Sequence, residues 1–174
     1  VRHVGMTAEV RRWERVQAPD VADPTWDLVL LGPGPGDPTD LGDPRIVRLR
    51  ELLEARLATD LPLLAVCLSH QVLASVAGLE IGKLPSPNQG VQLPVDLWGQ
   101  VRRIGFYNTF VARPPRDADV SVGGRPLELA VHEPDDAVVA MRGPGVATIQ
   151  GHAESVLSRD GLVTLHGLIR HALA

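Results

Sequence analysis

Two short apolar runs in this chain each open directly into residues that carry chemistry, and that constrains its fold more than any other feature. Trp26 to Leu31 (WDLVLL) leads into the loop Gly32 to Asp40 (GPGPGDPTD). Pro62 to Val66 (PLLAV) runs straight into Cys67, after which Leu68, Val72 and Val76 repeat at helical spacing up to Gly78. Runs of this kind, apolar without alternation, are strands covered on both faces, as in parallel sheets. Between them, Asp43-Pro44 reads as an N-cap and first helical residue. Ile46, Leu49, Leu53 and Leu57 then recur at helical spacing among Arg48, Arg50, Glu51 and Glu54. Gly78 reads as a helix stop.

The second half alternates instead. Val91, Leu93, Val95 and Leu97 are interleaved with polar residues or Pro94, the pattern of an exposed edge strand. Leu127, Leu129 and Val131 alternate again, and Ala137 to Met141 and Val146 to Ile149 flank Gly143-Pro144-Gly145. A last helix is expected from near Asp160, with Leu162, Leu165, Ile169 and Ala172 on one face. The order is strand, helix, strand, helix, several strands, helix. It predicts an α/β core with an antiparallel insertion. Chemistry in such sheets sits at the carboxyl ends of the strands. Gly32 to Gly36, Cys67 and His152 to Glu154 all fall there.

Composition narrows the function. A chain of 174 residues builds one domain, over 1–174, with a real core. With 3% aromatic residues that core must be Leu, Val, Ile and Ala, and base-stacking platforms for nucleic acid are excluded. The net charge of −4 and the lack of a basic run point the same way. A single cysteine permits neither an internal disulfide nor a metal site built on several thiolates. No apolar stretch approaches the roughly 18 residues of a membrane span. The chain reads as soluble and cytoplasmic, with no membrane or nucleic-acid partner.

Three pieces carry chemistry. Cys67 lies at a strand-to-helix turn, the geometry that presents a nucleophile above a sheet, and the helix N-terminus favours thiolate. Taken alone, a free cysteine is more often a buried small hydrophobe. His152-Ala153-Glu154 puts an imidazole and a carboxylate on one side of an extended segment, so that Glu154 can orient His152 as a base. Gly32 to Gly36 can supply an oxyanion donor beside the Leu68 amide. As a phosphate cradle it has the wrong spacing, no following Lys, and Asp37 and Asp40 nearby; as a plain rigid turn it is ordinary. Of the other histidines, His3, His132, His166 and His171 read as surface or satisfied residues, and His70 as structural.

GPGPGDP after a buried strand, then LLAVCLSHQ, then QGHAES resemble, in order and over nearly the whole chain, the class I (triad) glutamine amidotransferase family. The resemblance implies an enzyme that hydrolyses glutamine through a γ-glutamyl thioester on Cys67, with His152 shuttling the proton and Glu154 holding His152. It implies the Gly34 and Leu68 amides as oxyanion donors, Gln71 as a glutamine-binding residue, and Thr109 and Phe110 as the loop whose backbone grips the substrate's α-amino and α-carboxylate groups. The implied fold is α/β, a flavodoxin-like three-layer sandwich with a mostly parallel central sheet and a small antiparallel insertion. PNQGVQ (Pro87 to Gln92), IGFYNTF (Ile104 to Phe110) and HAES resemble the amidotransferase part of 2-amino-2-deoxyisochorismate synthase and of its anthranilate synthase relatives. That implies ammonia passed to a chorismate-binding synthase domain or subunit. It also implies no metal or cofactor in this domain and Mg2+ on the partner.

The chain departs from the family at four places. Ala65 and Ser69 replace glycines around Cys67, which a tight turn tolerates. Gly151 replaces the usual Phe before the histidine and is expected to loosen the packing beside His152. The family's first strand is missing, so the chain reads as N-terminally truncated, with Glu9 to Val16 as the second strand. Two other readings follow: a non-catalytic docking domain, or a stand-alone hydrolase of the same fold.

Overall fold

The computed structural model describes residues 5–116 and 119–174. His3 lies outside them. The first half alternates helix and strand: α1 (Ala18–Ala22), β1 (Val29–Leu31), α2 (Pro44–Leu57), β2 (Leu63–Val66) and α3 (Leu68–Val76). Short strands follow, β3 (Ile81–Lys83), β4 (Val91–Asp96), β5 (Val101–Phe106), β6 (Phe110–Ala112), β7 (Val120–Val122), β8 (Arg125–His132), β9 (Ala137–Gly143) and β10 (Val146–Ile149), and α4 (Gly161–Ala172) closes the chain.

Every strand and helix expected from the sequence pattern forms, though the strand expected over Trp26 to Leu31 is shortened to Val29–Leu31. The cap at α2 is as read: Asp43 accepts from the Arg45 amide at 2.9 Å with Pro44 behind it. Gly78 closes α3 with φ +86°, a conformation that suits glycine.

The central strands of the main sheet run in the order β1-β2-β10-β9-β6-β3, with β8 also on β9 and β7 on β8; β4 and β5 form a separate hairpin. Alternate residues of β2 face opposite layers. Leu63 and Ala65 pack with Ile46, Leu53, Val72 and Leu73 of α2 and α3. Leu64 and Val66 pack with Leu168, Ile169 and Ala172 of α4 and with Ile104 and Phe106 of β5. That gives helix, sheet, helix: an α/β sandwich.

Four expectations need correcting. The sheet is mixed rather than mostly parallel: β1, β2 and β10 are parallel, while every other pairing is antiparallel. The alternating second half builds much more sheet than a small insertion. The segment Glu9 to Val16 is not a strand; Trp13–Arg15 forms a 3-10 turn instead, and this stretch is mostly exposed. On α4, Leu165, Ile169 and Ala172 face the core as expected, whereas Leu162 is 59% exposed and Leu168 is buried beside them.

Among the described residues β1 pairs with β2 alone, and an open groove of about 380 Å³ runs along it, lined by Trp13, Val16, Trp26 and Leu28 to Leu31. Buried Arg56 ties this region to α2. Its guanidinium donates to the carbonyls of Val21 at 3.0 Å, Trp26 at 2.9 Å and Pro62 at 3.1 Å. Burial without a carboxylate partner lowers its pKa.

Candidate active site

Cys67 joins β2 to α3 with φ 55° and ψ −108°, a backbone that costs roughly 1–3 kcal/mol and is kept only where the surroundings enforce it. The enforcement is visible. The Cys67 amide donates to the Ile149 carbonyl of β10 at 2.9 Å, and its own carbonyl takes the Gln71 amide at 3.0 Å. The amides of Leu68 and its successors open α3, where a helix leaves its N–H groups free. Ser69, one of the departures from glycine, is fully buried and donates to the Gly32 carbonyl at 2.6 Å. It thereby fastens the Gly/Pro loop to the turn. Gly34 comes beside Leu68: a Cβ built on it would lie 3.5 Å from Leu68 Cδ2.

His152 follows β10, the strand next to β2. Its Nδ1 lies 2.8 Å from Glu154 Oε1, which leaves Nε2 for the sulfur of Cys67. Hydrogen bonding to Cys67 first, and then to Glu154, together with the charge of both, pushes the His152 pKa up to about 10 against the opposing effect of burial. The same bond to His152 lowers the Glu154 pKa. Thiol, imidazole and carboxylate are therefore gathered at the carboxyl end of the parallel strands.

The β4–β5 hairpin secures the imidazole. The His152 amide donates to the Gly105 carbonyl at 2.8 Å. The Gly105 amide donates to Ser158 Oγ at 2.8 Å, and that hydroxyl donates to the His152 carbonyl. Arg103 and Asp160 bond through the Arg103 amide at 2.8 Å and the Arg103 carbonyl at 3.2 Å. Tyr107 sets its ring edge-on to His152 with centroids 5.2 Å apart. The looseness expected at Gly151 is absent. A Cβ there would meet Ile104 Cγ2 at 2.4 Å and Phe106 Cζ at 3.1 Å, so β5 already fills the space.

Gln71, one turn along α3 from Cys67, is buried and donates through Nε2 to the Phe110 carbonyl at 2.7 Å and to Gln150 Oε1 at 2.8 Å. Asn108 Nδ2 also donates to the Phe110 carbonyl, at 3.0 Å, and the Thr109 carbonyl takes the Leu84 amide at 2.9 Å. Gln71 and the Thr109-Phe110 loop are thus brought together. Asn108, Gln150, Ser158 and Tyr107 are additions that the sequence reading missed. Gln150 lay inside the QGHAES string and Tyr107 and Asn108 inside IGFYNTF, so the signal for those three was present.

His70 is structural, as read. It is fully buried, with Nδ1 2.7 Å from Thr148 Oγ1 and Nε2 3.0 Å from the Val138 carbonyl. Thr148 Oγ1 accepts the Met141 amide, so its hydroxyl proton is free for Nδ1 and the ring is neutral with hydrogen on Nε2. Burial lowers its pKa to about 4. His132 pairs with Asp135 and His171 bonds the Gly143 carbonyl, while His166 is exposed. Among the described residues no cluster of three or more His, Cys, Asp or Glu side chains is arranged to hold a metal, and no helix is long and apolar enough to cross a membrane.

An α/β sheet that gathers a strained cysteine, an imidazole and a carboxylate at the carboxyl ends of its parallel strands has the layout of a candidate active site. The chain belongs to the class-I glutamine amidotransferase family, whose model matches residues 1–170, and it is accordingly a glutamine amidotransferase. It is 45% identical over 148 residues to a phenazine-specific anthranilate synthase of Pseudomonas chlororaphis, covering 85% of this chain and 23% of that protein. It is 42% identical over 173 residues to the Pseudomonas fluorescens counterpart, covering 99% and 26%. The chain thus spans about a quarter of the length of these relatives. Its fold resembles that of a protein assigned as a GMP synthase subunit from Thermoplasma acidophilum, with TM-score 0.68, 14% identity, and coverage of 89% of this chain and 76% of that one.

Proposed function

We propose that this chain releases ammonia from glutamine through a thioester on Cys67 and delivers it to a chorismate-using synthase domain or subunit. The observation that carries the reading is the His152 imidazole near Cys67, with its Nδ1 fixed on Glu154 Oε1 at 2.8 Å. His152 takes the proton of the Cys67 thiol. The sulfur attacks the side-chain amide carbon of glutamine, and the Gly34 and Leu68 amides take the developing oxyanion. His152 protonates the leaving ammonia. It then draws a proton from water, whose oxygen attacks the thioester and releases glutamate and the thiolate. Glu154 keeps the imidazole aligned throughout.

Gln71 and the Thr109-Phe110 loop hold the α-amino acid end. Both Gln71 N–H bonds are already used within the protein, so its Oε1 is the atom open to a substrate ammonium. The Thr109 and Phe110 carbonyls are also engaged, which makes the loop better suited to binding the α-carboxylate through N–H groups. The names of both Pseudomonas relatives, phenazine-specific anthranilate synthases, support a partner that makes anthranilate or a phenazine precursor like it. Any Mg2+ belongs to that partner.

The test is labelling by a chloroketone analogue of glutamine, with glutaminase turnover measured with and without a chorismate-binding synthase chain plus chorismate. Labelling confined to Cys67 and turnover raised by the partner are expected. Equal labelling at other residues would remove the nucleophile assignment, and full turnover indifferent to the partner would favour a stand-alone hydrolase.

A further inference from the structure

Gln150 directly follows β10, two residues before His152, and its amide N–H donates to the Val139 carbonyl at 2.8 Å. Its side chain is 1% exposed, and it lies on the face of β10 shared with Thr148, toward α3. The orientation of its amide is forced by a chain of contacts. The Phe110 carbonyl can only accept, so the end of the Gln71 amide 2.7 Å away is Nε2. That same Nε2 lies 2.8 Å from the Gln150 amide, whose near end must then be Oε1. Two groups remain: Gln71 Oε1, and Gln150 Nε2, which is buried with no partner among the described residues. A buried donor without a partner is rare enough to call for an explanation.

We propose that Gln150 is a positioning residue for substrate affinity, which locks the Gln71 amide so that its Oε1 is the end offered to the amino-acid portion of the substrate. The inference rests on the glutaminase reading above and deepens it. Without Oε1 of Gln150, the Gln71 amide keeps one anchor, at Phe110, and is free to rotate about it. The effect is on binding of the α-amino acid end, whereas the sulfur and imidazole are untouched. Gln150 also links the two halves of the site, since it bonds to the helix that carries Cys67 and directly follows the strand that leads to His152.

The test is Gln150→Met, nearly the same shape without polar groups, beside Gln71→Met and the double variant. Two reagents report on Cys67. The chloroketone analogue of glutamine needs the amino-acid subsite, whereas iodoacetamide does not. Gln150→Met should weaken half-saturation by the chloroketone, and raise KM for glutamine, by roughly fivefold to tenfold, the worth of one hydrogen bond, with kcat little changed. The iodoacetamide rate should stay at the wild-type value, and the double variant should bind no worse than Gln71→Met alone. Unchanged saturation in Gln150→Met, or losses that add in the double variant, overturn the proposal while leaving the glutaminase reading intact. A parallel fall in iodoacetamide reactivity, or failure of Gln150→Met to fold while Gln71→Met folds normally, assigns Gln150 a structural role and likewise overturns it. A wild-type chain that iodoacetamide alkylates but the chloroketone does not saturate overturns both readings.

Discussion

Cys67 and His152 meet in one site, but the chain holds them by opposite means. Cys67 sits in a buried strand-to-helix turn, with strained backbone and core on every side. His152 sits on a less buried segment after β10, fixed by a ladder of hydrogen bonds to the β4–β5 hairpin. Cys67, the proposed nucleophile, is placed by packing, which is rigid and local in sequence. His152, the proposed base, is placed by a hairpin some fifty residues upstream in the chain. One side spends stability on strain; the other depends on a contact that can be adjusted from outside.

The sharpest test of the packed side is Cys67→Gly. It should abolish glutamine turnover, because no thioester forms without the sulfur. It should also raise the melting temperature, since glycine adopts φ 55° without a Cβ clash and relieves about 1–3 kcal/mol of strain, offset in part by about 0.5–1 kcal/mol of added chain entropy in the unfolded state. A variant that is dead and less stable would mean the turn is not strained. One that still turns over glutamine would remove Cys67 from the chemistry.

The next largest effect is expected on the strapped side. Gly151→Ala places a Cβ 2.4 Å from Ile104 Cγ2, so β5 or the His152 segment must move. Overpacking of this kind costs about 1–3 kcal/mol, and a shift of the base should lower kcat by roughly a hundredfold. Adding Ile104→Ala should restore part of both, as read by thermal melts and steady-state rates. Gly151→Ala with full activity would show that β5 does not set the position of His152.

This contrast also explains what the sequence disclosed. The runs Trp26 to Leu31 and Pro62 to Val66, the Asp43-Pro44 cap and the Cys67 turn were legible because each is made by neighbours in the chain. So was the His152-Ala153-Glu154 spacing. The hairpin's grip on His152 was not, because nothing near Gly151 says that Ile104 and Phe106 fill the space beside it. The Gln150 contact was equally hidden, since it spans β10 and α3. Glu9 to Val16 was misread because a strand was expected there from resemblance, whereas the residues themselves show little apolar alternation and stay exposed. Leu162 lies at the rim of the α4 stripe: packing against β10 and β5 seats Leu165, Leu168, Ile169 and Ala172 and leaves Leu162 exposed.

A smaller effect distinguishes the packed side by pH. His70 clasps α3 to β9 and β10 as a neutral ring with its pKa lowered to about 4 by burial. Between 6.5, the ordinary value, and about 4, the unfolded chain takes up a proton that the native state refuses. Stability should therefore be unaffected by His70 above that window. It should fall as pH drops through the window, by roughly 1 kcal/mol per pH unit, and level off below it. Denaturant unfolding across this range, compared with His70→Gln, checks it: the extra slope should vanish in the variant. An equal slope in both would mean that another group dominates.

The smallest expected effect tests the strap at its narrowest point. Ser158 Oγ accepts the Gly105 amide at 2.8 Å and donates to the His152 carbonyl, so one hydroxyl joins the hairpin to the segment carrying the base. Ser158→Ala removes both bonds. The His152 carbonyl keeps the Ser155 amide at 3.0 Å, and the His152 amide keeps the Gly105 carbonyl, so the ladder is weakened rather than cut. Stability should fall by about 1 kcal/mol or less, since Ser158 is partly exposed and water can replace the hydroxyl. The kinetic signature matters more than its size. KM for glutamine should hold, because Gln71 and the Thr109-Phe110 loop are untouched. The kcat should drop about threefold to tenfold as His152 samples positions away from the sulfur. A rise in KM at constant kcat would place Ser158 on the substrate side. No change in either would show that Tyr107 and the Arg103-Asp160 pair hold the base without it, and that the two halves of the site differ less than their contacts suggest.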